Sequence, residues 1–338
     1  MKKVLNVVKP ILSIVLALLV GAIVIWAIGE NPIQIYQVML SGSLSSVYSI
    51  SETLLKATTL IFCGLSYAFA YKCGLINIGT EGQLYMGALF STIISVYIKL
   101  PMLIHIPLAL AAGFLGGAIW GGIVGFLKNR FGCNEIITTV MLNYVAQFLV
   151  AYMVSGPIQE KAKSYPQTDL IQDSAKLKTL VTGSNLNIGF FFAIAALILY
   201  YVFWKYTSSG YSMEIVGANQ KAGQYAGMNV RKTVMLSMCI AGGFGGLAGS
   251  MEVMGIQHKL LSGLSAGYGF DGIAVSLLGG NSAIGIFLSS ILFGALRVGG
   301  NAVQMFTSLP VAVIYIIQAL VILFVVLDLL SKKLERRK

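Results

Sequence analysis

Cys73-Gly-Leu-Ile-Asn-Ile-Gly-Thr-Glu-Gly-Gln-Leu-Tyr-Met-Gly-Ala-Leu89 sets Asn77, Thr80, Glu81 and Gln83 among four glycines, Gly74, Gly79, Gly82 and Gly87. The sequence around it is hydrophobic almost from end to end. Lipid supplies no hydrogen-bond partners, so polar groups and glycines at membrane depth need protein or a water-filled cavity around them. A carboxylate near the bilayer centre costs at least about 2.5–3.5 kcal/mol, which turns Glu81 toward protein or a pathway. The run therefore predicts a broken or locally unwound helix beside a translocation route. A plainer reading stays open, in which the glycines are tight helix contacts and Glu81 is an interfacial residue paired with a lysine.

Outside this run the composition points the same way. Of 338 residues, 57% are hydrophobic and 10% charged, and the mean hydropathy is +0.83. An ordinary soluble domain carries about 25% charged residues, so the chain is expected to be an all-α polytopic membrane protein. The net charge of +11 does not imply nucleic acid, because the lysines and arginines sit at the ends of apolar runs, where they set membrane orientation. Cys63, Cys73, Cys133 and Cys239 form no CxxC pair or zinc spacing and read as reduced packing groups. Lys2, Lys3 and Lys9 precede an apolar run, Ile11–Ile28, that is longer than a signal-peptide core and has no cleavage site after it. It reads as a first membrane helix.

Further apolar runs follow at Leu54–Tyr71, Leu75–Ile98, Leu103–Leu127, Ile136–Val154, Ile188–Trp204, Val234–Gly255, Leu264–Gly280, Ile284–Val298 and Pro310–Leu327. About ten transmembrane helices are expected, each near the ~20 residues that cross the hydrocarbon. Two of them, one in each half, are broken or short. The Gly74–Gly87 run has a counterpart in GYGFDGIAVSLLGGNSAIG, Gly267 to Gly285, and each carries an acid, Glu81 and Asp271. Paired interrupted segments of this kind mark a midplane site in transporters. Counting basic residues places both termini in the cytoplasm, residues 155–187 outside and residues 207–232 inside.

Chemistry is sparse. Gly113, Gly117, Gly121 and Gly125 share one helix face, and Gly242/Gly246 and Gly245/Gly249 repeat the spacing, which is a packing pattern. Gly267–Gly272 fits G-x-G-x-x-G, but no strand precedes it, so no dinucleotide site is implied. Neither a Walker A run nor a metal-ligand or catalytic motif occurs, and His105 and His258 lie apart in external regions. No cofactor is expected. Glu135 is placed near Lys128 and Arg130, and Glu252 within reach of Lys259. Substrate-pathway candidates are the intramembrane acids Glu81 and Asp271 with the amides and aromatics Asn77, Gln83, Asn143, Gln147, Phe270, Asn281 and Gln318. Each of the amides is equally well explained as an interhelical hydrogen bond.

The wording GLINIGTEGQ, Gly74 to Gln83, resembles the GLxNIGxEGQ stretch of permease subunits of bacterial nucleoside ABC importers, within the branched-chain amino acid and ribose permease superfamily. EIVGANQKAGQYAGMNV, Glu214 to Val230, is similar to the coupling loop of those permeases, with Gln220 where proline is frequent and Gly223 where alanine is frequent. GGFGGLAGS and GYGFDGIAVSLLGGNS extend the resemblance over most of Thr53–Gly300. It implies one permease domain over residues 1–338 in a bacterial cell membrane. Glu214, Gly217, Asn219, Ala222, Ala226 and Gly227 would then dock a separate ATPase. The other implied partners are a second, related permease forming a heterodimer, an extracytoplasmic substrate-binding lipoprotein and a nucleoside substrate. A sugar, riboflavin or branched-chain amino acid permease of the superfamily is the nearest alternative. An ion-coupled secondary transporter is the alternative from another class.

Overall fold

The computed structural model describes residues 15, 16, 18–307, 316, 319, 320 and 323. Its elements are helical: α1 (Leu18–Ala27), α2 (Pro32–Leu44), α3 (Val47–Lys72), α4 (Thr80–Tyr97), α5 (Met102–Phe131), α6 (Glu135–Ser155), α7 (Gly189–Tyr206), α8 (Ser208–Ala218), α9 (Gln220–Tyr225), α10 (Val230–Glu252), α11 (Tyr268–Leu278) and α12 (Ala283–Phe306). Local sequence accounts for several boundaries. Asn134 caps α6 by accepting the Ile136 N–H at 2.9 Å, and Gly132 ends α5 with a φ of 67°, a left-handed conformation that suits glycine. Past α10 the chain widens into a π-helical turn, Val253–Gln257.

The expectation of about ten membrane-crossing helices is corrected by this structure. Among the described residues six helices are long and apolar enough to cross: Val47–Lys72, Met102–Phe131, Glu135–Ser155, Gly189–Tyr206, Val230–Gln257 and Ala283–Phe306. Two of the shortfalls have a physical cause. Leu75–Ile98 starts as non-helical chain, and helix begins only at Thr80, with a polar first turn of Thr80, Glu81, Gly82 and Gln83. Leu264–Gly280 yields the 11-residue α11, which at about 1.5 Å per residue reaches only halfway across the hydrocarbon. Most of Pro310–Leu327 and part of Ile11–Ile28 lie outside the described residues, and α1 is a short apolar helix.

The chain forms two compact units, one from the described parts of Met1–Ala57 and Ile291–Lys338, the other from Thr58–Ser290. The larger unit is built on α4, α5 and α10, which pack on one another most extensively. Its glycine faces meet as the spacing suggests. A Cβ added at Gly246 would land on the Gly113 carbonyl oxygen, and one at Gly87 or Gly117 would strike Gly246 in turn. Three helix backbones thus touch at one residue, a closeness that only a missing side chain allows.

Residues 155–187 are strapped down. The Thr168 N–H donates to Leu260 O at 3.0 Å, Ile171 to His258 O at 2.9 Å, Gln172 to Ser95 O at 3.0 Å and Leu177 to Met254 O at 3.0 Å. His105, fully buried, bonds Ser174 Oγ through Nδ1 at 2.8 Å. Within the loop Glu160 accepts from Gln167 Nε2 at 2.6 Å and from the Ser164 and Tyr165 N–H groups at 3.2 Å. These bonds, led by that from Gln167, hold its carboxyl below the usual range. A carboxylate lowered in the folded state stabilises above its unfolded pKa and loses that contribution as pH falls through its folded value. Limited proteolysis should therefore cut residues 160–167 faster as pH falls below the ordinary glutamate range, and the Glu160→Ala variant should be cut fast at every pH.

Candidate functional site

The break between α3 and α4 organises the site. After Lys72 the chain turns at Gly74, with a φ of 74°, and runs without helix to Gly79. Asn77 closes this segment on the next helix. Its Oδ1 accepts from the Gly79 N–H at 3.0 Å and from Gln83 Nε2 at 3.2 Å, and its Nδ2 donates to Gln83 Oε1 at 3.1 Å. Ser66 on α3 donates to Gln83 Oε1 and meets Thr80 Oγ1, both at 3.1 Å. Asn143 on α6 grips the backbone on both sides of Gly79. It accepts from the Gly82 N–H at 2.8 Å and donates to Ile78 O at 2.9 Å. Asn77, Gln83 and Asn143 are all buried, and the bonds between Asn77 and Gln83 and from Asn143 to the backbone meet the polar demand that lipid would leave unmet.

Glu81 reaches out of this cage to the second interrupted segment. Its Oε2 accepts from the Gly269 N–H at 2.7 Å, and the side chain is 2% exposed. Gly269 lies in the first turn of α11, where helix N–H groups have no internal acceptor and a negative charge is favoured. A Cβ at Gly269 would collide with the Glu81 backbone, so the two segments touch main chain to main chain. One turn along, Tyr85 Oη accepts from the Ser265 N–H at 3.3 Å. The acid-bearing breaks that the sequence paired are thus in direct contact.

The remaining candidates are spread out. Phe270, 47% exposed, presents its ring at the start of α11 beside a partly buried Asp271. Gln147 is partly buried on α6. Asn281 belongs to the turn after α11, at a φ of 53°, where it accepts from Ser276 Oγ at 2.8 Å while its carbonyl accepts from Tyr200 Oη at 2.7 Å. Gln318 lies outside the described residues. Glu135 pairs with Lys128 at 2.6 Å as expected. Glu252 is buried and accepts from Thr59 Oγ1 at 2.8 Å. Ser66, Thr59 and Tyr85 escaped the sequence reading, because single hydroxyls in apolar helices carry no pattern.

Residues 207–232 form two short helices. Asn219 caps α9, its Oδ1 accepting from the Lys221 and Ala222 N–H groups at 2.9 and 3.2 Å. Glu214, Ala222, Ala226 and Gly227 are exposed, as is Tyr225 at 94%. Gly217 faces the other way. A Cβ there would land on the Lys72 carbonyl and the Cys73 backbone, while one at Gly74 would meet Gly217. The end of α8 therefore rests directly on the turn that opens the broken segment.

Residues 49–326 match the family model described as the permease component of a branched-chain amino acid transport system. The guanosine ABC transporter permease protein NupP of Bacillus subtilis (strain 168) is 37% identical over 330 residues, covering 96% of this chain and 94% of that protein. The glucose ABC transporter permease protein TsgB13 of Haloferax volcanii is 38% identical, covering 94% and 86%. The nucleoside ABC transporter permease protein NupB of Lactococcus lactis subsp. cremoris (strain MG1363) is 36% identical, covering 95% and 90%. No solved structure matches the chain.

Proposed function

This chain belongs to the family of branched-chain amino acid transport system permease components, and from that premise we propose that it carries nucleosides across a bacterial cell membrane. It is a multi-pass membrane protein and the permease subunit of an ABC transporter; ATP hydrolysis and substrate capture belong to partner proteins. The substrate reading rests on the guanosine and nucleoside permeases among its relatives. Residues 1–338 form one permease domain with both termini cytoplasmic. It pairs with a second, related permease and receives solute from a lipoprotein outside.

The contact that carries the mechanism is Glu81 on Gly269, because it ties the two interrupted segments to each other. Phe270, Asp271, Gln147 and Asn281 contribute side chains to the wall of the route. The buried Asn77, Glu81, Gln83 and Asn143 hold the segments that form it. A ligand or partner shifts a two-state equilibrium only through its different affinity for the two states, so ATPase closure has to reach this assembly mechanically. The rest of α8 on the Gly74 turn offers a direct contact for that transfer.

Uptake of radiolabelled adenosine into proteoliposomes holding the permeases, ATPase and binding protein tests the reading. Uptake should require ATP and be competed by other nucleosides. The Haloferax relative, a glucose permease by name, favours a sugar as the second reading, and competition by glucose alone would select it. Docking has its own test. Ala222→Arg, on the exposed face of α9, should strip the ATPase from the purified complex in a pull-down. Gly217→Arg should instead reduce the yield of the permease itself, because that position has no room.

A further inference from the structure

Lys72 ends α3 at the point where Gly217 of α8 rests on its carbonyl. Its ammonium lies over two rings of α7, 4.6 Å from the centre of Trp204 and 5.4 Å from that of Tyr200. Both distances fall within the roughly 6 Å at which a ring face attracts a cation. Glu214, three residues before Gly217 and so on the same side of α8, acts on this ammonium electrostatically. One residue thus touches α8 through its backbone and α7 through its side chain.

Tyr200 continues the line. It is 2% exposed, and Phe69 of α3 stands edge-on to its ring, with centroids 5.0 Å apart. Packing alone would be met by phenylalanine, which the cluster around Phe69 already uses at Phe203 and Phe244. The hydroxyl serves a different contact, donating to Asn281 O at 2.7 Å in the turn after α11. That turn is fastened to α11 by two bonds. The Asn281 N–H donates to Ser276 O at 2.9 Å, and Ser276 Oγ donates to Asn281 Oδ1 at 2.8 Å. A displacement of Asn281 therefore takes the end of α11 with it. The start of the same 11-residue helix is held by Glu81 on the Gly269 N–H.

We propose that Lys72 and Tyr200 are positioning residues that carry the displacement of α8 to the far end of α11, so that both interrupted segments answer the ATPase together. The contact of Gly217 delivers it to the first segment. Ammonium, ring and hydroxyl, in that order, deliver it to the second. Packed side chains and hydrogen bonds between rigid elements are the means by which separate sites are coupled. This inference rests on the ATPase docking at α8 and α9 proposed above and adds to it a route to α11.

The test uses the complete transporter, with hydrogen exchange followed in the presence and absence of a non-hydrolysable ATP analogue. In the unaltered protein the analogue should change exchange both in residues 72–79 and in residues 279–285. Tyr200→Phe keeps the ring and loses the hydroxyl, so the response at 72–79 should remain and that at 279–285 should vanish. Lys72→Met should act alike, and Lys72→Arg, which keeps a cation over the rings, should restore the response. Assembly of each variant is checked by co-purification. In proteoliposomes, adenosine taken up per ATP hydrolysed should fall about tenfold in Tyr200→Phe, the size of one hydrogen bond, with KM unchanged. A response at 279–285 that persists in Tyr200→Phe and Lys72→Met, or that the unaltered protein lacks while showing the one at 72–79, overturns the route and spares the docking. No response at 72–79 in the unaltered protein overturns the docking, and the route with it. Uptake of glucose in place of adenosine overturns only the substrate class, and the exchange result still decides the route.

Discussion

Replacing Gly246 with valine is expected to abolish accumulation of the folded protein. At this residue a side chain would have to occupy the Gly113 carbonyl, with Gly87 and Gly117 already against it. Overpacking a core usually costs about 1–3 kcal/mol, because side chains can shift. Here the obstacles are main-chain atoms of another helix, α5, so the loss should exceed that range and approach the whole stability of a domain, about 5–15 kcal/mol. Yield of monodisperse protein in detergent, followed by thermal unfolding of whatever is recovered, measures it. Gly156→Ala provides the contrast, since a Cβ there meets only ordinary contact at 3.4 Å, and its yield should match that of the unaltered protein.

The second large effect is expected at Glu81. Alanine there leaves the buried Gly269 N–H without this acceptor, a cost of about 1–3 kcal/mol before any cavity is counted. It also unties α11 from α4. ATP-driven uptake should fall at least tenfold while the ATPase still co-purifies. Glu81→Gln keeps an oxygen in place to accept from Gly269 while losing the charge and exchanging the other oxygen for an NH2 group, so it should retain a measurable part of the activity. Equal activity in the alanine variant and the unaltered protein would reduce the carboxylate to packing and remove it from the transport mechanism.

How much of this was legible in the residues differs from place to place. The interruption at Gly74–Gln83, its pairing with Gly267–Gly285 and the glycine faces of α5 and α10 were readable, because glycine and a carboxylate are so costly at membrane depth that their positions carry meaning. Span counting failed where the same signal was averaged away. Leu75–Ile98 is apolar as a window, yet Asn77 takes the Gly79 N–H into a local turn and delays the helix. The direction in which Gly217 faces was not legible either. A small residue in an amphipathic loop serves an outside partner or an inner neighbour equally well, and only the position of the Lys72 carbonyl decides between them. The burial of His105 was not legible, because Ser174, which bonds its ring, is distant in sequence.

The grip of Asn143 on Ile78 and Gly82 bears on what moves when the transporter turns over. A glycine-rich break invites description as a hinge, but two bonds from one amide, on opposite sides of Gly79, hold it as a splint holds a joint. If α6 rotated while the break stayed still, both would be surrendered together. Residues 78–82 and α6 should therefore travel as a single block, and the bending that admits solute belongs at the margins of that block.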